Sequence, residues 1–450
     1  MKKRIVVIGS GSQFTEFLLQ ELFKFEEFKG STLAFVDRNR DRLEQEVKLA
    51  ETLNRSVDWD VDIEGHTDRT EALPGADFVY SFAAVNQRET WKKEFELANK
   101  YDINLLEAYT GGPAKLGMSI RHVPVMLDIC ADIERLCPDA WLIIDNNPLP
   151  SLVAAVTRHT NVKAVGYCNG HELVEVALEQ ILELTDRGPE QRDADPVERE
   201  FMTASGNLSL TLAGINHITW LLDIRRSDTG EDLYPELKAR LSNSRLIPSG
   251  YHYSAALCEM FGYFPSCADG HISEHLWFTD KEVNRKYGMA PYPIEQWFGN
   301  RDDKAWEEIA SSVQSPDDAS KFISQRRTGW HNVQMARAML SGNSQRFAAI
   351  NVQNSGAIAN LNDDIIVEVP GMIGPDRVNT VNVGPLPEQV APICSLNGSI
   401  TNLVADAAAT GSKELALQAL LLDPTVHSMT KALPMLEEIL EYNTKYETRF

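Results

Sequence analysis

Cysteine is scarce in this 450-residue chain: six residues, at 130, 137, 168, 258, 267 and 394, with no CxxC spacing among them. That excludes a disulfide scaffold or a zinc ribbon and points to free thiols, one or two of them functional. Basic residues are also in deficit, with 43 Lys and Arg against 65 Asp and Glu and a net charge of −22. Such a balance argues against nucleic acid and anionic membrane as partners, although a few local cations in a pocket still suffice for an anionic small molecule. No apolar run approaches the length of a membrane span. The opening Met1-Lys-Lys-Arg4 leads straight into a short apolar run, too short for the core of a secretion signal, which makes a cytoplasmic protein the expectation. There is no internal repeat and no low-complexity tract. What remains, 43% hydrophobic and 24% charged residues over more than one domain's worth of chain, is the composition of a globular enzyme.

The most informative stretch is at the start. Residues 5–8 are an unbroken apolar run, as in a strand buried on both faces of a parallel sheet. Gly9-Ser-Gly-Ser12 follows, then Gln13, Phe14 and a segment with helical apolar spacing. A second strand ends on Asp37-Arg38. Strand, glycine turn and helix aim backbone N–H groups at a pyrophosphate, and an acid at the end of the second strand accepts from an adenosine ribose. The third glycine of the usual fingerprint is absent, because Phe14 stands there. Residues 1–190 alternate strand and helix throughout, and strand ends at Asn146-Asn147 and Cys168-Asn169 fall in the same crevice as the glycines. A charged, proline-bearing connection over residues 186–198 then leads to a part of mixed pattern, residues 191–450. Antiparallel strands flank residues 213–218, helices fit 233–241 and 254–261, and 348–369 reads as strand. The fold class expected is α/β: an N-terminal Rossmann-type parallel sheet followed by a mixed α+β domain of the lactate/malate dehydrogenase kind.

Several residue groups carry chemistry. Cys168 and His217 each follow a strand, and a soft thiolate with an imidazole suits a borderline divalent ion. Taken by spacing alone, a packed buried thiol and a satisfied structural histidine are the commoner explanation of such residues. Residues 262–275 pack Asp269, His271, Glu274 and His275 into seven positions, a density that suits acid/base work; the plainer account is a polar loop entering a helix, with Glu274 and His275 solvated. Residues 110–117 read as a glycine loop before a helix carrying Arg121; Lys115 and Arg121 suit an anionic group of a substrate or the cofactor phosphates, and ordinary loop glycines with surface cations explain the stretch as well.

Taken in order, these pieces resemble glycoside hydrolase family 4, the NAD-dependent glycosidases. The likeness rests on Gly9-Ser-Gly-Ser12, Ala76-Asp-Phe-Val79, Arg121-His-Val-Pro124, Asn147-Pro148, Gly166-Tyr-Cys-Asn169, Gly214-Ile-Asn-His217 and residues 351–370. Residues 262–275 and 354–361 are most similar to the α-galactosidase, α-glucosidase and α-galacturonidase branch. The resemblance implies a reaction outside the two-carboxylate scheme: NAD⁺ takes hydride from sugar C3, a base removes the C2 proton, the glycosidic oxygen leaves, and water addition reverses the steps. It implies a divalent metal, Mn²⁺ foremost, held by Cys168 and His217. The catalytic set would be His271, Asp269 and Asn169. NAD would lie against Gly9, Ser10, Gly11, Ser12, Gln13, Phe14, Asp37, Arg38, Asn86 and Asn146. Arg88, Lys115, Asn147, Asn169 and His171 would contact the glycoside, and the chain would form a homodimer or homotetramer. Two departures stand out. Asn169 replaces an acid or His of several α-specific members, and the family's Asp-Thr-x-Gly-Pro-Gly-Gly reads Tyr109-Thr-Gly-Gly-Pro-Ala-Lys115 here. The new lysine suggests an anionic sugar such as a uronide, or the sulfonated sugar of the related NAD-dependent sulfoquinovosidases. A dehydrogenase with net oxidation is the competing activity.

Overall fold

A computed structural model describes residues 2–12, 14–185, 204–295, 311–324, 331–375 and 377–450. The connection expected over residues 186–198 and Gln13 therefore lie outside the described residues. The N-terminal part runs β1 (Arg4–Ile8), α1 (Phe14–Leu22), β2 (Thr32–Val36), α2 (Arg40–Val57), β3 (Asp62–His66), α3 (Arg69–Ala72), β4 (Phe78–Ser81), α4 (Gln87–Lys100), α5 (Gly112–Leu136), β5 (Trp141–Ile144), α6 (Leu149–His159), β6 (Lys163–Gly166) and α7 (Gly170–Ile181). Its strands pair in parallel in the order β3-β2-β1-β4-β5-β6. This is the doubly wound dinucleotide-fold order, whose direction changes between β1 and β4. Alternation along β1 shows why both faces are apolar. Ile5 and Val7 enter one core with α1, α2 and the helices Pro316–Ser324 and Asn332–Leu340. Val6 and Ile8 enter the other with α5, α6 and the helix Ala391–Thr410.

The sheet does not stop at β6. It continues through β9 (Gln345–Gln353), β10 (Ile366–Gly374), β7 (Leu208–Ile215) and β8 (Ile218–Arg226), with β11 (Arg377–Thr380) on β10. The crossing from parallel to antiparallel pairing is at Gly166 and Asn351. A Cβ on Gly166 would lie 2.8 Å from Val153 and 2.9 Å from the Asn351 Cβ, so only glycine admits this approach. The β7–β8 hairpin expected around residues 213–218 is present, joined by a two-residue turn, Asn216-His217. The 348–369 segment is two strands rather than one.

One element differs in kind. The expected loop over residues 110–117 is the start of α5, which begins at Gly112 with Pro113 in its first turn. Proline there has no N–H to lose and a φ already suited to a helix. Glycine density outweighs that signal in the sequence.

Candidate active site

The glycine turn is held tightly. Gly9 has φ +77° and donates its N–H to the Val36 carbonyl at 2.9 Å, and a Cβ there would lie 2.6 Å from the Ala83 backbone. Gly11 donates to Asp37 Oδ2 at 2.8 Å, while Asp37 Oδ1 accepts from the Asn39 N–H at 2.8 Å. A Cβ on Gly11 would meet Asp37 Oδ2 at 2.7 Å. The two glycines thus form a cradle that any side chain would fill, and the acid expected to meet a ribose is fixed against its rim. Ser10 is fully buried; Ser12 Oγ accepts the Phe14 N–H, and Phe14 stands edge-on to Phe82 with centroids 6.0 Å apart. Asn146 donates to the Ala83 carbonyl at 2.8 Å, linking the ends of β5 and β4 beside Gly9. Arg38 is exposed nearby. Asn86 is not in this cradle's hydrogen-bond set: it donates to Glu89 and to the Tyr446 hydroxyl at the surface.

At the other end of the crevice, Cys168 Sγ and His217 Nε2 are 3.7 Å apart. His217 sits at φ +67°, an uncommon conformation for a residue with a Cβ and one that marks functional turns. Several groups hold it there. Thr110 Oγ1 meets its Nδ1 at 2.9 Å, leaving Nε2 toward the sulfur, and the Cys267 thiol donates to its carbonyl. Glu368, buried, accepts from Asn216 and Asn351 through Oε1 at 2.9 Å each and from the Thr219 hydroxyl through Oε2. Sulfur and nitrogen donors about 2.3 Å and about 2.1 Å from one tetrahedral Zn²⁺ would be about 3.6 Å apart, which sets the scale for two donors sharing one divalent ion. The pair therefore fits a single divalent cation. Burial pushes the Cys168 thiol up to about 12, a balance that a cation taking the thiolate reverses. Among the described residues no group of three metal-ligating His, Cys, Asp or Glu side chains exists. Replacing Thr110 by Val should weaken Mn²⁺ binding about 10- to 100-fold by calorimetry; an unchanged affinity would show that the Thr110 bond does not orient the ligand.

Against the His217 ring, with centroids 4.3 Å apart, lies His271. Its Nδ1 is paired with Glu107 Oε2, a residue that sequence reasoning missed. Gly270 makes room for this carboxylate, since a Cβ there would collide with Glu107 Oε1. The loop presenting Glu107 is fixed by Glu274, whose Oε1 accepts from the N–H of Glu107 (2.7 Å) and of Ala108 (2.5 Å). Glu274 and His275 are buried, at 1% and 3% exposure, not solvated. Burial, then Glu107, raises the Glu274 carboxyl to about 7.

Other expected site residues are placed differently. Asp269 caps the helix His252–Phe261: its Oδ2 accepts from Tyr253 N–H and its Oδ1 from Ser254 N–H and Oγ–H. With both oxygens so engaged, it does not orient the His271 imidazole; Glu107 does. Lys115 is 5% exposed, in the first turn of α5, with Asp423 and Glu274 as its neighbouring charges. It lines a small closed cavity with Thr110, Asn216 and His275. Arg121 is buried in an ion pair with Glu94 at 2.7 Å and also bonds Asn443. Arg88 is half exposed and meets Glu295 at 3.4 Å. Of the two cations expected to hold an anion, Arg121 is thus paired within the chain and Lys115 is buried in the field of Asp423 and Glu274, while Arg88, expected at the glycoside, faces Glu295. Glu94→Ala would strand the buried guanidinium and should cost about 3–5 kcal/mol, read from the denaturation midpoint; an unshifted midpoint would contradict the pairing.

Asn147 accepts the Leu149 N–H at 3.3 Å and precedes a cis Pro148. Asn169, at the start of α7, makes no capping bond with its side chain. His171 is buried with Nδ1 3.0 Å from the Cys168 carbonyl, so it braces the cysteine's loop. His122, also missed, accepts the Val85 N–H at 2.8 Å beyond the end of β4, and burial lowers its imidazole to about 3, keeping it neutral.

A doubly wound sheet with a glycine cradle at one strand end and a Cys–His pair with a carboxylate-held imidazole at others defines an α/β enzyme of the dinucleotide-fold class. More narrowly, the chain belongs to the family 4 glycosyl hydrolases. Residues 4–184 match the family model and residues 212–426 that of its C-terminal domain. Over 427 residues it is 28% identical to an alpha-galactosidase of Bacillus subtilis (strain 168), spanning 94% of this chain and 93% of that one. An alpha-glucosidase of Erwinia rhapontici is 29% identical over 464 residues, 98% of this chain and 97% of its own. The fold is similar to a 6-phospho-alpha-glucosidase from gut microorganisms solved with NAD and Mn²⁺ (TM-score 0.79, 19% identity, 99% of each chain). It is more distantly similar to malate dehydrogenase of Plasmodium falciparum (TM-score 0.50, 12% identity, 96% and 99% covered).

Proposed function

We propose that the chain is a glycosidase that uses NAD⁺ and a divalent cation, Mn²⁺ first among them, to cleave small unphosphorylated hexosides by transient oxidation at C3. The observation that carries this reading is the Cys168–His217 pair, set 3.7 Å apart and braced by Thr110 and Glu368, with His271 stacked against it. When bound, the dinucleotide supplies reversible hydride acceptance and the cation supplies charge stabilisation for an oxyanion. The chain's own residues do the rest. The turn at Gly9 and Gly11 cradles the dinucleotide, with Asp37 at its ribose. Cys168 and His217 hold the cation. His271, its Nδ1 set against the Glu107 carboxylate, presents Nε2 as the base for the C2 proton. Asn147 and Asn169 offer amides to sugar hydroxyls and to the departing oxygen.

An uncharged sugar fits the site better than an anionic one. Among the described residues, Arg121 and Arg88 are each in an ion pair with a carboxylate of the chain, and Lys115 is buried within the field of Asp423 and Glu274, so a uronate, sulfonate or phosphate would compete with the chain's own carboxylates for these cations. The test is a panel of neutral, uronic, sulfonated and 6-phosphorylated nitrophenyl hexosides with catalytic NAD⁺, with and without Mn²⁺. Turnover of a neutral hexoside without net NADH is the expected result. NADH accumulating in step with product would establish a dehydrogenase instead. Preference for an anionic sugar that Lys115→Ala abolishes, while leaving neutral substrates untouched, would assign Lys115 the substrate contact and overturn the neutral-sugar reading.

A further inference from the structure

Behind the glycine cradle stands a second carboxyl group that none of the chemistry above uses. Glu46, on the inward face of α2, has no exposed surface. Neither of its oxygens, nor the hydroxyl of the equally buried Ser10, has a hydrogen-bond partner, and Ser10 is the side-chain donor that acts on Glu46. Ser10 is otherwise fully committed: its N–H donates to the Val36 carbonyl and its carbonyl accepts from the Thr15 hydroxyl. The charged groups that act on Glu46 are Asp37, from the end of β2, and Arg42, one turn earlier on its own helix. Arg42 also covers the cradle, its Cγ lying 3.2 Å from where a Gly11 Cβ would be. On β3, Glu64 and His66 are spent on each other and on Arg4. Asp317, Asp318 and Lys321 of the helix packed on α2 are not among the groups acting on it.

We infer that Glu46 is a proton-linked determinant of dinucleotide affinity: as a neutral acid it completes the floor of the cradle, and as a carboxylate it opposes the cofactor. The inference rests on the placement of NAD⁺ over the glycine turn. The physical basis is that two carboxyl groups beside one anion-binding turn cannot both ionise cheaply. Asp37 is tied to backbone donors, and Glu46, raised by its burial foremost and by Asp37 in smaller part, stands at about 8. A bound pyrophosphate adds negative charge beside it and holds its proton more tightly still. Affinity is then level while Glu46 is protonated and falls as pH rises past the value of the free protein, by as much as about tenfold per pH unit.

The experiment is calorimetric titration of the full chain with NAD⁺ from about pH 6.5 to about pH 9.5. Wild type should bind with constant Kd to about pH 7.5 and weaken steeply above about pH 8. Glu46→Gln, neutral at every pH, should hold its Kd within about twofold over the whole range. Equal weakening in Glu46→Gln, or a level wild-type profile, would overturn the inference. Proton uptake on binding at about pH 8, measured in two buffers of different ionisation enthalpy, needs no variant; zero uptake would also overturn it. Gly11→Val reports separately on the placement. Unchanged NAD⁺ affinity in that variant would show that the dinucleotide lies elsewhere, whatever Glu46 does.

Discussion

Cys168→Ser should lower kcat/KM on the best hexoside by on the order of 10³-fold at saturating NAD⁺ and Mn²⁺, with the fold intact. A cation acting as a Lewis acid is worth several kcal/mol at the transition state, and each 1.4 kcal/mol is about a factor of ten. Hydroxyl for thiol keeps the shape but removes the soft donor that pairs with His217 Nε2 across 3.7 Å. Two signatures separate loss of the cation from general damage. Mn²⁺ binding should fall with activity, and NAD⁺ affinity should stay put, because the glycine cradle lies at the ends of other strands. Full activity in Cys168→Ser after exhaustive chelation would end the metal reading.

The second large effect belongs to His271. His271→Asn should cost about 10²- to 10⁴-fold in kcat, the usual worth of a positioned general base. Glu107→Gln should cost less, about 10- to 100-fold, since it removes the group that orients the imidazole and not the imidazole itself. The readout that a merely structural role would not move is solvent exchange at sugar C2. His271→Asn should still form NADH on mixing with substrate, as hydride loss from C3 precedes its step, but should not wash deuterium into C2. Normal C2 exchange in His271→Asn would transfer the base to another group. Asp269→Asn, by contrast, should act through stability, because its oxygens hold the first turn of the helix His252–Phe261.

What is legible in the sequence follows from how far apart the partners are. Residues 5–37 announce strand, turn, helix and acid within one local stretch, and the structure forms each in that order. Cys168 and His217 are marked by their positions after strands, though nothing in spacing tells a ligand from a packed thiol. Glu107 is invisible. It lies 164 positions before His271 in an unremarkable segment, and only the folded loop, pinned by Glu274, brings them together. Thr110 escapes notice for the same reason. Lys115 and Arg121 look like cations waiting for a ligand because a sequence shows charge but not its neutralisation. The ion-pair partner of Arg121, Glu94, comes from α4, and the charges acting on Lys115, Asp423 and Glu274, come from more distant parts of the chain. Asp269 misleads in the opposite direction: its neighbours in sequence are titratable, whereas its neighbours in space are backbone N–H groups.

The single crossing at Gly166 and Asn351 has a consequence for how the chain can be divided. The boundary between the two family models falls in the segment after residue 184, and a fragment ending there looks natural. It would release β6 with an unpaired edge, one strand of a parallel sheet whose outer donors and acceptors normally meet β9. Such an edge is a template for pairing with other chains. It would also strip α1 and α2 of the helices Asn332–Leu340 and Pro316–Ser324 that cover them. The half that holds the glycine cradle is thus stable only in company: expressed alone it should aggregate, and co-expression with residues 204–450 should rescue it.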